Sequence, residues 1–116
     1  LSRPPPPERW TADSGARDVI RLDIPADARR ERRFEIFVRL VVANPAARPD
    51  ATHALRVLVD GALEWSRRAP TPADGPDSLD LRLRRTVPAG RALRLSATCE
   101  LRGAQRVGLT ISAEED

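Results

Sequence analysis

The chain has 116 residues, and its 20 basic side chains against 17 carboxylates give a formal net charge of +3. That length suits one domain with a single core, and 41% apolar with 32% charged residues is neither the composition of a disordered chain nor that of a membrane protein. Every basic residue is arginine, which stays charged to about pH 12, so the positive excess is small but does not titrate away.

Residues 1–16, "LSRPPPPERWTADSGA", carry four consecutive prolines and no apolar period, and read as a stiff proline-rich leader or linker ahead of a domain spanning 17–116. Trp10 is expected to fold back over an edge of that domain. From Arg17 the period is two. Ile20, Leu22 and Ile24 share one face of a first strand, and Phe34, Ile36, Val38, Leu40 and Val42 share one face of a second. Phe37 and Val41 on the opposite face of that second strand predict cover on both sides. Between the two, "ADARRERR" has helix formers but no apolar face, so only a solvated turn is expected there.

Asp60-Gly61 is the dipeptide of a two-residue type I′ hairpin, with Leu55, Val57 and Val59 leading in and Leu63 and Trp65 leading out. Leu79, Leu81 and Leu83 form the next alternating run. After Val87-Pro88-Ala89-Gly90 the chain returns with Leu93, Leu95, Ala97, Cys99 and Leu101 inward, and Val107, Leu109 and Ile111 close the pattern. About seven strands result. The predicted fold is all-β: a single antiparallel β-sandwich, immunoglobulin-like or a compact jelly roll, with a proline-rich N-terminal extension.

If the run 79–84 and the run 93–101 form one hairpin, then Arg82, Arg84, Arg94 and Arg102 stand on one outward face, with Arg106 near the next strand. Planar guanidinium groups in a row suit sulfates, phosphates or carboxylates. Asp80 and Glu100 on the same face argue for ordinary cross-strand pairing instead. No aromatic interleaves with these arginines, so nucleic acid is not an expected partner.

The other candidates are weaker in the sequence. Trp65 shares parity with Leu63 and is expected in the core or at its rim. Cys99 shares parity with core residues, where burial would raise its thiol pKa, and as a lone cysteine it makes no internal disulfide. His53 is expected to be exposed at the end of a Pro/Asp loop. Asp50, His53, Asp74 and Asp77 sit on two loops without any recognised Ca²⁺-loop spacing, so neither metal nor cofactor is expected. Catalytic spacing is likewise missing.

The expected function is therefore a non-catalytic interaction or assembly module, as part of a larger surface or secreted protein, with an extracytoplasmic setting favoured. Self-association or a protein partner would use Phe37, Val41, Trp10 and Trp65, while the alternative is an acidic glycan or other polyanion held by Arg82, Arg84, Arg94 and Arg102. No apolar run is long enough to insert into a membrane.

Overall fold

The computed structural model describes residues 5–116, all in strands and connecting turns. Eight strands form: β1 (Arg9–Asp13), β2 (Val19–Ile24), β3 (Arg32–Ala43), β4 (Thr52–Val59), β5 (Ala62–Pro70), β6 (Asp77–Val87), β7 (Leu93–Arg102) and β8 (Gln105–Glu115). They make two four-stranded antiparallel sheets, β1-β8-β3-β6 (sheet A) and β2-β7-β4-β5 (sheet B), packed face to face as a β-sandwich.

The pairing has a simple origin. Asp60 and Gly61 take φ of +51° and +82°, as a type I′ turn requires, and close the β4–β5 hairpin. From that tip the two arms of the chain stay paired, β3 with β6, β2 with β7 and β1 with β8, while every other connection passes from one sheet to the other. Period-two apolar residues make this possible because each strand needs only one face against the other sheet. Phe34, Ile36, Leu40, Leu55, Leu95, Leu109 and Ile111 meet there and are fully buried.

Three expectations change. First, the sandwich starts at Arg9 rather than Arg17. β1 pairs with β8 from Arg9↔Glu114 to Asp13↔Thr110, and its inward residues Trp10 and Ala12 pack against the core. This eighth strand is too short to show a period by itself. Second, β6 and β7 are not a hairpin. Residues 88–92 cross between sheets, held by Gly90 N donating to Asp27 O at 2.7 Å and Arg91 N to Pro88 O at 3.1 Å. Third, His53 is an inward residue of β4 and fully buried rather than exposed.

The start of the chain is fastened by charge. Arg32, with a side chain only 2% exposed, donates to Glu8 Oε1 at 2.8 Å and to the Pro25 carbonyl at 2.8 Å. The same Glu8 oxygen accepts the Trp10 indole N–H at 3.0 Å, and Arg30 bridges Glu8, Asp27 and Glu115. Arg30's donation holds the Glu115 carboxyl below its usual range against the opposing effect of burial. Both ends of the described chain and the β2–β3 turn thus share one ionic cluster.

Candidate functional site

With the strands assigned, the arginines divide between two surfaces. On the outer face of sheet A, Arg39 pairs with Asp80 at 2.8 Å, Arg9 with Glu114 at 3.2 Å, Arg82 with Glu35 at 3.5 Å and Arg84 with Asp116 at 3.9 Å. The Arg39 hydrogen bond lowers the Asp80 pKa. Phe37 stands at the centre of this face under two guanidinium groups, Arg82 at 5.0 Å and Arg39 at 5.6 Å from its ring centroid. Its own neighbours therefore cover the outward aromatic ring.

The outer face of sheet B is different. The register aligns Arg21, Ser96, Leu58 and Leu63 in one row across the sheet, and Val19, Thr98, Arg56 and Ser66 in the next. Further along come Glu100, Ala54 and Arg68, then Arg102 beside Thr52. Two of its arginines are neutralised: Arg94 by Asp23 at 2.9 Å and Arg68 by Glu100 at 2.9 Å. Arg21, Arg56 and Arg102 are exposed and meet no carboxylate among the described residues. Strand spacing and rise place the Cα atoms of Arg21 and Arg56 about 12 Å apart and those of Arg56 and Arg102 about 14 Å apart.

The row of four expected from the sequence is therefore split. Arg94 and Arg102 lie on sheet B, whereas Arg82 and Arg84 lie on the opposite outer face of sheet A, because the crossing at 88–92 separates β6 from β7. Arg21, Arg56 and Arg68 are the residues that the sequence reading missed. Arg21 and Arg56 alternate with buried neighbours in their own strands, which is a signal available in the sequence, whereas Arg68 lies in the largely exposed edge strand β5, and the placing of all three on one face depends on long-range pairing.

The expected apolar interface is dispersed as well. Phe37 and Val41 face outward on sheet A, while Trp10 and Trp65 point inward on β1 and β5 and pack against the core. No single patch contains all four. Arg106, expected near the start of the last strand, reaches Asp18 and the Cys99 thiol instead.

The reactive side chains are occupied structurally. His53 Nδ1 shares a 2.7 Å hydrogen bond with Thr71 Oγ1, and burial lowers its pKa more than the attraction of Asp77 raises it. The ring is neutral near pH 7, with Nε2 3.5 Å from Asp77 Oδ2 and without a hydrogen bond. Burial raises the Cys99 thiol pKa, with Arg106 pulling the other way. Of the loop carboxylates, Asp77 approaches His53, while Asp50 lines a recess with Arg48. Among the described residues no three His, Cys, Asp or Glu side chains converge as metal ligands, and no helix is long and apolar enough to cross a membrane.

These features define a β-sandwich domain whose sheet-A face leaves Arg33 without a carboxylate among the described residues and whose sheet-B face leaves Arg21, Arg56 and Arg102 without one. No protein-family model and no curated protein matches the chain. Among solved structures it is similar to part of dimeric latent PorU from Porphyromonas gingivalis, with a TM-score of 0.54 and 13% identity over 92% of this chain and 11% of that one. A structure of the infectious bursal disease virus Gt strain gives a TM-score of 0.38 and 17% identity over 94% of this chain and 36% of that one. The chain thus spans about a ninth of the PorU chain, and the likeness shows the sandwich fold alone.

Proposed function

We propose that this chain is a non-catalytic interaction module, a compact jelly roll that holds an extended acidic glycan on the outer face of sheet B. The strand order supports the finer fold: two four-stranded sheets wound from one long paired ribbon. The observation that carries the ligand reading is the contrast between the two outer faces. On sheet A the guanidinium groups of Arg9, Arg39, Arg82 and Arg84 are met by carboxylates and that of Arg33 is not, whereas on sheet B three, those of Arg21, Arg56 and Arg102, are left to solvent.

Between and beside those arginines stand the hydroxyls of Ser66, Ser96 and Thr98 together with the apolar Val19, Leu58 and Leu63, and no aromatic ring interrupts them. Such a face binds the charged groups of a chain rather than stacking on bases or sugar rings. Pro5–Pro7 lead directly into the anchored Glu8, an arrangement suited to a stiff spacer within a larger surface or secreted protein. Heparin-column elution tests the ligand reading. The wild type should be retained and released by moderate salt, and Arg21→Ala with Arg56→Ala should elute much earlier; unchanged elution would remove the reading.

A second reading, self-association, is favoured by one observation. β6 is an edge strand of 11 residues whose outer main chain has no partner strand in sheet A. Pairing of two copies along β6 would give a dimer that survives high salt, measurable as molar mass by light scattering. A monomer at all salt concentrations would exclude it.

A further inference from the structure

Among the described residues four strands lie at sheet edges, and β6 offers the long, regular one. β1 and β2 have five and six residues, and β5 has nine with a bulge where its register against β4 shifts between Val57 and Leu58. β6 has 11 residues and pairs with β3 from Arg32↔Val87 to Val42↔Asp77 without a shift. Such an edge is a template for another strand unless its side chains forbid the pairing.

The side chains of β6 fit a second copy of β6. Leu79 is buried, but Leu81 and Leu83 are only partly covered where they pack against the core, so the inward row stays open at its middle. Ser78, Asp80, Arg82 and Arg84 follow one another on the outer face. Directly opposite residues of an antiparallel pair share a face, so a two-fold axis must pass through a residue of β6 to keep leucine with leucine. An axis at Leu81 sets it against the partner's Leu81, Leu79 against the partner's Leu83, Asp80 against the partner's Arg82 and Asp77 against the partner's Arg85. An axis at Asp80 or Arg82 opposes that charge to its own copy, and an axis at Leu79 or Leu83 sets Leu81 against the partner's Asp77 or the partner's Arg85. Opposite charges facing each other across strands stabilise, and like charges destabilise.

The charges have capacity for these contacts. Arg82 is 72% exposed, lying over Phe37 and 3.5 Å from Glu35. Asp80 accepts from Arg39 at 2.8 Å and from Ser78 Oγ at 3.0 Å, which leaves lone pairs on both oxygens. Arg85 is held at the inward edge by Glu64, and such an inward charge blocks strand addition unless a carboxylate meets it, as the partner's Asp77 does in this register.

We propose that β6 is a self-complementary edge through which two copies dimerise about Leu81, joining two A sheets into one. This rests on the self-association reading and fixes its register. Exposed ion pairs add little affinity; main-chain hydrogen bonds and the leucines hold the dimer, and the charges select the alignment.

The test combines light scattering with cysteine cross-linking of the full chain, with Cys99→Ala removing the native thiol. Paired Cα atoms about 4.5–5.5 Å apart suit a disulfide. On mild oxidation Leu81→Cys should cross-link to itself, whereas Asp80→Cys and Arg82→Cys should cross-link efficiently only when mixed. Without cysteines, Arg82→Asp and Asp80→Arg should each weaken the dimer about tenfold, and an equimolar mixture should restore it, with thermal melting confirming that each variant is folded. A wild-type dimer that cross-links best at other positions, or variants that gain nothing on mixing, would overturn the register and leave self-association standing. A monomeric wild type would overturn both.

Discussion

Glu8→Ala tests whether the segment after the prolines is an integral part of the fold. The substitution removes the carboxylate that accepts from Arg32 at 2.8 Å, from Arg30 at 2.8 Å and from the Trp10 indole at 3.0 Å. Arg32 is 2% exposed and already has an unpaired Nε, so its charge would be stranded in the sandwich. Breaking a buried ion pair by deleting one partner costs about 3–5 kcal/mol. The lower end applies, at about 3 kcal/mol, because Glu8 is itself 23% exposed and Arg32 keeps the Pro25 carbonyl at 2.8 Å. An unfolding entropy of about 2.1 cal/mol/K per residue, over 116 residues, converts that loss into a fall in Tm of roughly 12 °C. Calorimetry or circular dichroism melting at pH 7 measures it. Combining Glu8→Ala with Arg32→Met should restore part of the loss by removing the stranded charge. A Tm within about 3 °C of wild type for Glu8→Ala would refute the reasoning, since Arg32 would then not depend on Glu8 for its stability.

Other outcomes follow from single contacts. His53 has a folded pKa held below its ordinary 6.5, so the unfolded chain takes up the proton first and stability falls as pH drops below about 6.5, levelling off beneath the folded pKa. Urea unfolding from pH 7.5 to 5 should show this slope, and His53→Gln should flatten it; equal slopes would contradict the assignment. Asp80 and Glu115, both lowered by arginine partners, act in a separate window at and below their ordinary 3.8 and 4.5. Phe34→Ala should cost about 4 kcal/mol because the ring is wholly buried, whereas Phe37→Ala should cost roughly 1–2 kcal/mol for partial burial and two exposed cation–π contacts. Similar losses at the two positions would mean that the outer face of sheet A is covered. Gly61→Ala should lose about 1 kcal/mol through its φ of +82° alone, since the added Cβ would meet nothing within 4 Å; an unchanged melting curve would argue against the type I′ turn.

The inward and outward assignments of the long strands were legible because alternation is a local property. Leu93, Leu95, Ala97 and Cys99 are buried as their parity requires, and Asp60-Gly61 makes its hairpin. Which sheet receives each strand is not local. A Pro-Ala-Gly turn looks the same whether the chain doubles back within a sheet or crosses to the other, and this one crosses, carrying Arg94 away from Arg82. β1 was invisible for a related reason: five residues with Trp10 and Ala12 inward carry too little period, and their order comes from β8 and the Glu8 cluster. His53 was recoverable, since it continues the inward parity of Leu55, Val57 and Val59, but its partner Thr71 lies 18 residues away. Arg56 and Arg21 were legible as outward residues, but not as neighbours of Arg94 and Arg102.

The most direct test of the proposed ligand surface is the affinity of the full chain for a sulfated oligosaccharide across a salt series, measured by calorimetry. Wild type is compared with Arg21→Ala/Arg56→Ala on sheet B and with Arg33→Ala/Arg84→Ala on sheet A as a charge-matched control. Affinity should fall with salt, the sheet-B variant should bind at least about tenfold more weakly, a loss of about 1.4 kcal/mol, and the sheet-A variant should stay close to wild type. Equal weakening by both variants, or none by the sheet-B variant, would contradict the assignment of the ligand to sheet B.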